Sequence, residues 1–116
     1  MINGNKNGVD EQFNEMMNYI QENFMNVSLD DIADKFHFTK PYVSKYIKVK
    51  SGKTFTEIIT DIKLKKAKTL LKNESMHIDV IAANVGYQNV EHFNRLFKKR
   101  YGMTPGQYRL ECSLGR

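Results

Sequence analysis

From Phe13 onward the apolar residues of this chain return at three- and four-residue steps. Phe13, Met16, Met17, Ile20 and Phe24 fall on one face of a helix, so an amphipathic first helix is expected there. Alternating apolar and polar runs bracketing an Asn-Gly turn are absent, and an all-α fold follows. Before Phe13 the pattern fails: MINGNKNGVD offers little to bury and predicts a flexible leader or linker over residues 1–10.

The pattern also repeats. SLDDIADKFHFTKPYVSKYIKVKSGKTFTEI (28–58) can be laid on HIDVIAANVGYQNVEHFNRLFKKRYGMTPGQY (77–108). At an offset of 49, Leu29, Ile32, Ala33 and Phe38 fall on Ile78, Ile81, Ala82 and Tyr87. After one extra residue the offset becomes 50, and Val43, Ile47, Gly52, Thr54 and Ile58 fall on Phe93, Phe97, Gly102, Thr104 and Tyr108. A slip of one residue confined to a turn is what duplicated units tolerate. Each copy reads as short helix, turn, second helix.

Cap chemistry sets the boundaries. Ser28 with Asp31 resembles a capping box for a helix ending near Phe36, and Thr39 can cap the next, with Pro41 tolerated in its first turn. In the second copy Gly86 occupies the turn and Asn89 can cap a helix starting at Val90. His37 takes the turn position of the first copy, at about 1 kcal/mol if its φ is positive. Thr54 with Glu57 and Thr104 with Gln107 form two further capping boxes, the latter with Pro105 at the first helical position. Between the copies, Phe55 to about Asn73 predicts a connecting helix of roughly 28 Å. The expected organisation is therefore a leader over 1–10, a first helix-turn-helix subdomain over 11–53, a connecting helix over 54–74, a second subdomain over 75–112 and a tail over 113–116.

Composition adds one decisive fact. The 116 residues carry a net charge of +5, unevenly spread: residues 1–34 hold seven acids and one base, and residues 35–116 hold 17 bases and six acids. Such an asymmetry points to a polyanionic partner for the second part. No apolar run approaches the roughly 18 residues a membrane helix needs. The single cysteine, Cys112, cannot form an internal disulfide, and a reducing cytoplasm is the expected location. His37, His77 and His92 lack metal-ligand spacing, and a phosphate-cradling glycine motif is missing. No cofactor, metal or catalytic activity is therefore expected.

The run Gly86-Tyr87, Phe93, Arg95, Phe97-Lys98-Lys99, Gly102, Thr104-Pro105, Tyr108-Arg109, with Ala82 four residues before Gly86, resembles the C-terminal DNA-binding domain of the AraC/XylS family of bacterial transcription regulators. The resemblance extends from about Phe13 to Arg109. It implies two helix-turn-helix (homeodomain-like) subdomains joined by a long linker helix. It also implies one recognition helix from each subdomain in successive major grooves, on an asymmetric operator of double-stranded DNA. A sensor or receiver domain elsewhere in a longer chain and contact with RNA polymerase, usually for activation, are further implications.

Helical spacing sends Val43, Tyr46 and Ile47 inward and leaves Lys40, Pro41, Ser44, Lys45 and Lys48 outward. In the second recognition helix Phe93, Leu96, Phe97 and Tyr101 point inward, leaving Glu91, Asn94, Arg95 and Lys98 outward, with Val90 and His92 flanking. The family's motif, matched position by position, implies groove contacts from Pro41, Ser44 and Lys45, and from Val90, Glu91, His92, Asn94 and Arg95. Arg95 suits guanine O6/N7 and Asn94 suits adenine, whereas Lys45 and Ser44 discriminate less. The second helix is thus expected to read sequence more sharply than the first. Lys40, Lys48, Lys50, Lys53 and Lys98 suit phosphates. Glu91 has two readings, a carboxylate favoured by the helix dipole or an acceptor for cytosine N4. Lys63, Lys65, Lys66 and Lys68 are expected on a plain solvated face of the connecting helix. The competing class is a helical protein-interaction module without DNA binding, for which the charge split has no use.

Overall fold

In a computed structural model, residues 4–115 are described, with side chains from Glu11 onward. They form seven helices in the order α1 (Gly4–Glu22), α2 (Leu29–Phe36), α3 (Lys40–Ser51), α4 (Phe55–Leu71), α5 (Ile78–Asn84), α6 (Val90–Tyr101) and α7 (Pro105–Leu114). No strand occurs among the described residues. Two compact units divide within α4, between Thr60 and Asp61.

The first unit is built on α1, α2 and α3. Met16 and Ile20 of α1, Ile32 and Ala33 of α2, Val43 and Ile47 of α3, and Ile58 of α4 supply buried side chains, five of these seven fully so. The Ser28–Asp31 capping box forms as the sequence predicts: each backbone N–H donates to the other residue's side chain, at 3.0 and 3.1 Å. Thr39 caps α3, its Oγ1 accepting from the Tyr42 N–H.

Two boundaries differ from expectation. Backbone α1 starts at Gly4, inside the stretch expected to be a flexible leader, and Phe24 falls in the turn after its end rather than on it. Starting a helix is costly and extending one is not. The turns that bury Met16 and Ile20 therefore supply a nucleus from which weak helix formers such as Gly4 and Gly8 can be carried along. Residues 1–3 of the expected leader lie outside the described residues. At the other end, α7 runs through Ser113 and Leu114, which were expected in the tail; Arg116 lies outside the described residues.

The second unit packs α5, α6 and α7 on α4. Leu64, Ala67 and Leu71 of α4 meet Ile81, Ala82 and Val85, together with Phe93 and Phe97 of α6. Phe97 is the hub of an aromatic cluster, with ring centroids 5.9 Å from Phe93, 4.8 Å from Tyr101 and 5.8 Å from Tyr108. Polar ties hold α4 to the later helices. Arg100 Nε of α6 donates to Asp61 Oδ1 at 2.8 Å, and that partnership raises the guanidinium's already high pKa. Arg109 of α7 donates through Nε to the Leu71 carbonyl at 3.0 Å and through Nη2 to the Asn73 and Met76 carbonyls. Those carbonyls belong to the last residue of α4 and the loop after it, where intrahelical partners run out.

The lysines of α4 correct the expected solvated face. Lys63 is half-buried with Nζ 5.1 Å from the Tyr87 ring, and half-buried Lys68 sits 4.4 Å from the Tyr101 ring and 5.4 Å from Tyr108. Only Lys65 and Lys66 are exposed. Charge alone suggested solvent for all four, but neighbouring tyrosines accept a lysine stem and cation together.

Candidate nucleic-acid interface

Each copy of the repeat closes its turn in the same way. In the first, the Phe38 N–H donates to the Ala33 carbonyl at 2.9 Å; in the second, the Tyr87 N–H donates to the Ala82 carbonyl at 2.8 Å. Both are the long bond of a Schellman turn, which requires a left-handed residue just before the donor. Gly86 fills that place at φ 102°, and His37 fills it at φ 63°. The left-handed His37 that the sequence made conditional is therefore present. It is the one non-glycine residue with positive φ among those described. The extra residue of the second copy falls after this turn, between Tyr87 and the cap Asn89, so the shape that sets one helix against the other is preserved.

The two second helices then match closely. Each has 12 residues, a polar N-cap (Thr39, Asn89) and a left-handed glycine at its end, Gly52 at φ 80° and Gly102 at φ 83°. Val43 and Ile47 of α3, and Phe93 and Phe97 of α6, are fully buried, so the inward stripes lie where period predicted.

On α3 the five expected outward residues, Lys40, Pro41, Ser44, Lys45 and Lys48, are all exposed. Two have protein partners: Lys40 Nζ lies 3.9 Å from Asp30 Oδ2, and Lys48 Nζ donates to the Gly52 carbonyl at 3.3 Å. Both contacts are exposed and weak, and a phosphate can displace them. Tyr42 is a residue the sequence reading missed. It is 47% exposed at the start of the helix and stacks on Tyr46 at 5.8 Å, beside Phe38 at 4.6 Å. A signal for it existed: at an offset of 50 it matches His92, already a candidate. Val49, 70% exposed, adds an apolar edge where the second copy has Lys99.

On α6, Glu91, His92, Arg95 and Lys98 are exposed. The His92 ring stands edge-on to Tyr87 at 5.9 Å, and its backbone N–H donates to the Asn89 cap. Glu91 lies in the first turn, where the helix dipole favours a carboxylate. Two residues depart from the outward placement. Val90 is half-buried and packs against the core of the second unit. Asn94 is half-buried, with Oδ1 enclosed and lacking a hydrogen-bond partner. Lys98, Lys99 and Arg100 crowd the last turn, where cations also favour the helix end.

Two helix-turn-helix units, each presenting a polar, mainly cationic helix face from a closed turn, define a double helix-turn-helix domain of the DNA-binding class. Comparison with known proteins places it further. The helix-turn-helix domain family profile matches residues 32–111, and the chain belongs to this family, in its AraC type. The HTH-type transcriptional regulator YtdP of Bacillus subtilis is 36% identical over 83 residues, 72% of this chain. The C-terminal domain of AraT, a response regulator from Geobacillus stearothermophilus, shares 34% identity and a TM-score of 0.74 over 83% of this chain and 81% of that one. An AraC-type transcriptional regulator from Chromobacterium violaceum has the same fold, with a TM-score of 0.82 at 22% identity over 90% of this chain and 95% of that one. The chain spans only 11% of the length of YtdP, and 34% and 36% of two other relatives. It is thus a DNA-binding domain of the kind carried by transcription regulators. Among the described residues, no helix is long and apolar enough to cross a membrane.

Proposed function

We propose that this domain binds double-stranded DNA sequence-specifically, with α3 and α6 entering successive major grooves, and thereby regulates transcription. The observation that carries the reading is the internal match: two second helices of 12 residues, capped alike, bury the same face and expose cations at corresponding positions, Lys45 with Arg95 and Lys48 with Lys98. Arg95, at the centre of the exposed α6 face, would read guanine, with Glu91 and His92 beside it; Lys45 and Ser44 would do so less sharply on α3, with Pro41 offering apolar contact. Lys40, Lys48 and Lys98 would hold phosphates and set the register. One chain with two readers has no need of a palindrome, so the operator is asymmetric.

The low coverage of longer relatives and the likeness to a response regulator's C-terminal domain favour a role as the output part of a larger cytoplasmic regulator. A sensor or receiver domain would supply the signal and RNA polymerase would be the target, with activation as the outcome. Selection of bound duplexes from a random pool at fixed salt tests the central claim. The expected result is two short blocks about 10 base pairs apart on an asymmetric site. A single block, or a strict palindrome, would overturn the two-groove reading. Absence of duplex binding even at low salt would favour a protein-interaction module instead.

A further inference from the structure

Asn94 is the residue of the exposed α6 face whose polar group is turned partly into the protein. Adenine recognition by asparagine uses both ends of the amide: the oxygen accepts from adenine N6 while the nitrogen donates to N7. Here Oδ1 is enclosed and unpartnered, and the residue is half-buried. The polar atom left to the exposed side is Nδ2, which can only donate.

Position on the helix says what it donates to. Residues four apart lie one above another, so Val90, Asn94 and Lys98 form one ridge. That ridge runs along the margin of the face, since Asn94 follows buried Phe93 and Val90 packs on the core. Arg95 and Glu91 lie nearer its centre. The corresponding ridge of α3 is Lys40, Ser44 and Lys48, two cations flanking a small hydroxyl, all exposed. Both ridges carry donors and neither carries an acid. A margin of donors suits the sugar-phosphate rail, which offers only acceptors, rather than the mixed edges of bases.

We propose that Asn94 is a phosphate clamp and not an adenine reader: Nδ2 donates to a backbone phosphate oxygen of the strand that Lys98 also contacts. The proposal rests on α6 being a DNA-recognition helix. If the unaltered chain binds no duplex, that reading and this proposal fall together; if it binds, the outcomes below concern Asn94 alone.

The experiment uses the duplex recovered from the random pool. Asn94→Ala is expected to lower affinity about tenfold, equally on sites varied at every base position. The selected sequence and the salt slope stay unchanged, because a neutral side chain releases no counterion. Thermal stability does not fall, since a buried unpaired oxygen has been removed. Lys98→Ala should instead flatten the salt slope. Asn94→Asp, which replaces the donor with a charged acceptor, should weaken binding more than Asn94→Ala; Asn94→Ser, which restores the donor type found at Ser44, should recover part of the loss.

A scan with single methylphosphonates then locates the partner. At one phosphate the neutral linkage should weaken the unaltered protein but have little further effect on Asn94→Ala. Loss of an adenine preference at one position in Asn94→Ala would overturn the proposal, as would unchanged affinity or the absence of any such coupled phosphate.

Discussion

The first recognition unit, α2 with α3, and the second, α5 with α6, share a plan but divide their side-chain chemistry differently. The first is locally well made at its start, where Ser28 and Asp31 cap α2 reciprocally; His77, at the equivalent place before α5, makes no side-chain cap. The second is better made at its turn, with glycine in the left-handed place that the first gives to histidine. The outward faces diverge further. That of α3 combines three lysines with Pro41, Ser44 and exposed Tyr42 and Val49, and contains no acid. That of α6 combines an arginine, one lysine, a histidine and Glu91. The lesson is that a duplicated scaffold keeps the residues that set backbone shape and releases those on its outward face. Gly52 and Gly102, with φ values of 80° and 83°, show how closely the shape is held.

The difference can be broken experimentally, most strongly at a residue only the second half possesses. Arg109 ties three carbonyls, and its counterpart at an offset of 50 is Ile59. Arg109→Leu is expected to cost about 2–3 kcal/mol, because hydrogen bonds to a charged group are lost and the carbonyls are left to water or to nothing. Denaturant unfolding measures it; a loss below about 0.5 kcal/mol would show that water replaces the guanidinium freely.

Next comes the division of labour in reading. Arg95→Ala should cost ~1–3 kcal/mol on the preferred duplex and relax one base position. Lys45→Ala should lower affinity on preferred and altered duplexes more nearly alike. Quantitative binding to a panel of single-base variants decides it. If Lys45→Ala relaxes a base position as sharply as Arg95→Ala does, the two helices read equally well.

The turns come third. Gly86→Ala should destabilise by about 1–2 kcal/mol, since the added Cβ meets the left-handed penalty. His37→Gly should do the opposite and gain up to about 1 kcal/mol, part of the relief being offset by the greater freedom of glycine in the unfolded chain. Thermal unfolding of both variants is the check, and a destabilised His37→Gly would mean that the histidine side chain contributes something its backbone strain conceals.

The smallest effect concerns the boxes that follow each unit. Thr54 pairs with Glu57 and Thr104 with Gln107, in near-identical geometry: each N3 backbone N–H donates to the threonine at 3.1 Å and each threonine N–H donates back at 2.9 Å. Only the first box can titrate. The Thr54 N–H holds the Glu57 carboxyl below its ordinary range, with nearby Lys48 and Lys53 assisting. A carboxyl lowered by folding adds stability above its unfolded pKa and loses it as pH falls through the lower, folded value. The α4 box should therefore weaken in acid while the α7 box does not. Because Glu57 is fully exposed, the expected change is slight, and Glu57→Gln should abolish it. An acid-induced loss that survives Glu57→Gln would have to come from another carboxyl.

Much of this molecule was legible in its sequence. The seven-helix order, the caps at Ser28, Thr39, Asn89 and Thr104, the turn at Gly86 and the buried stripes of α3 and α6 follow from relations that span at most four or five residues. Periodicity and capping act over that range, and a single sequence displays it directly. The repeat added a check, because the same relations had to hold twice.

What the tertiary structure alone decided lies at longer range. Arg100 meets Asp61 across 39 positions and Arg109 meets Leu71 across 38, and no pattern in the chain pairs them. Lys63 and Lys68 are half-buried because tyrosines of α6, α7 and the preceding turn came to lie beside α4. Asn94, on the polar side by period, was turned at the margin so that its oxygen faces the body of its own unit. Period fixes the direction in which a side chain leaves its helix. What it finds there is set by elements that arrive from elsewhere in the chain, and for Asn94 that decides which end of the amide is enclosed.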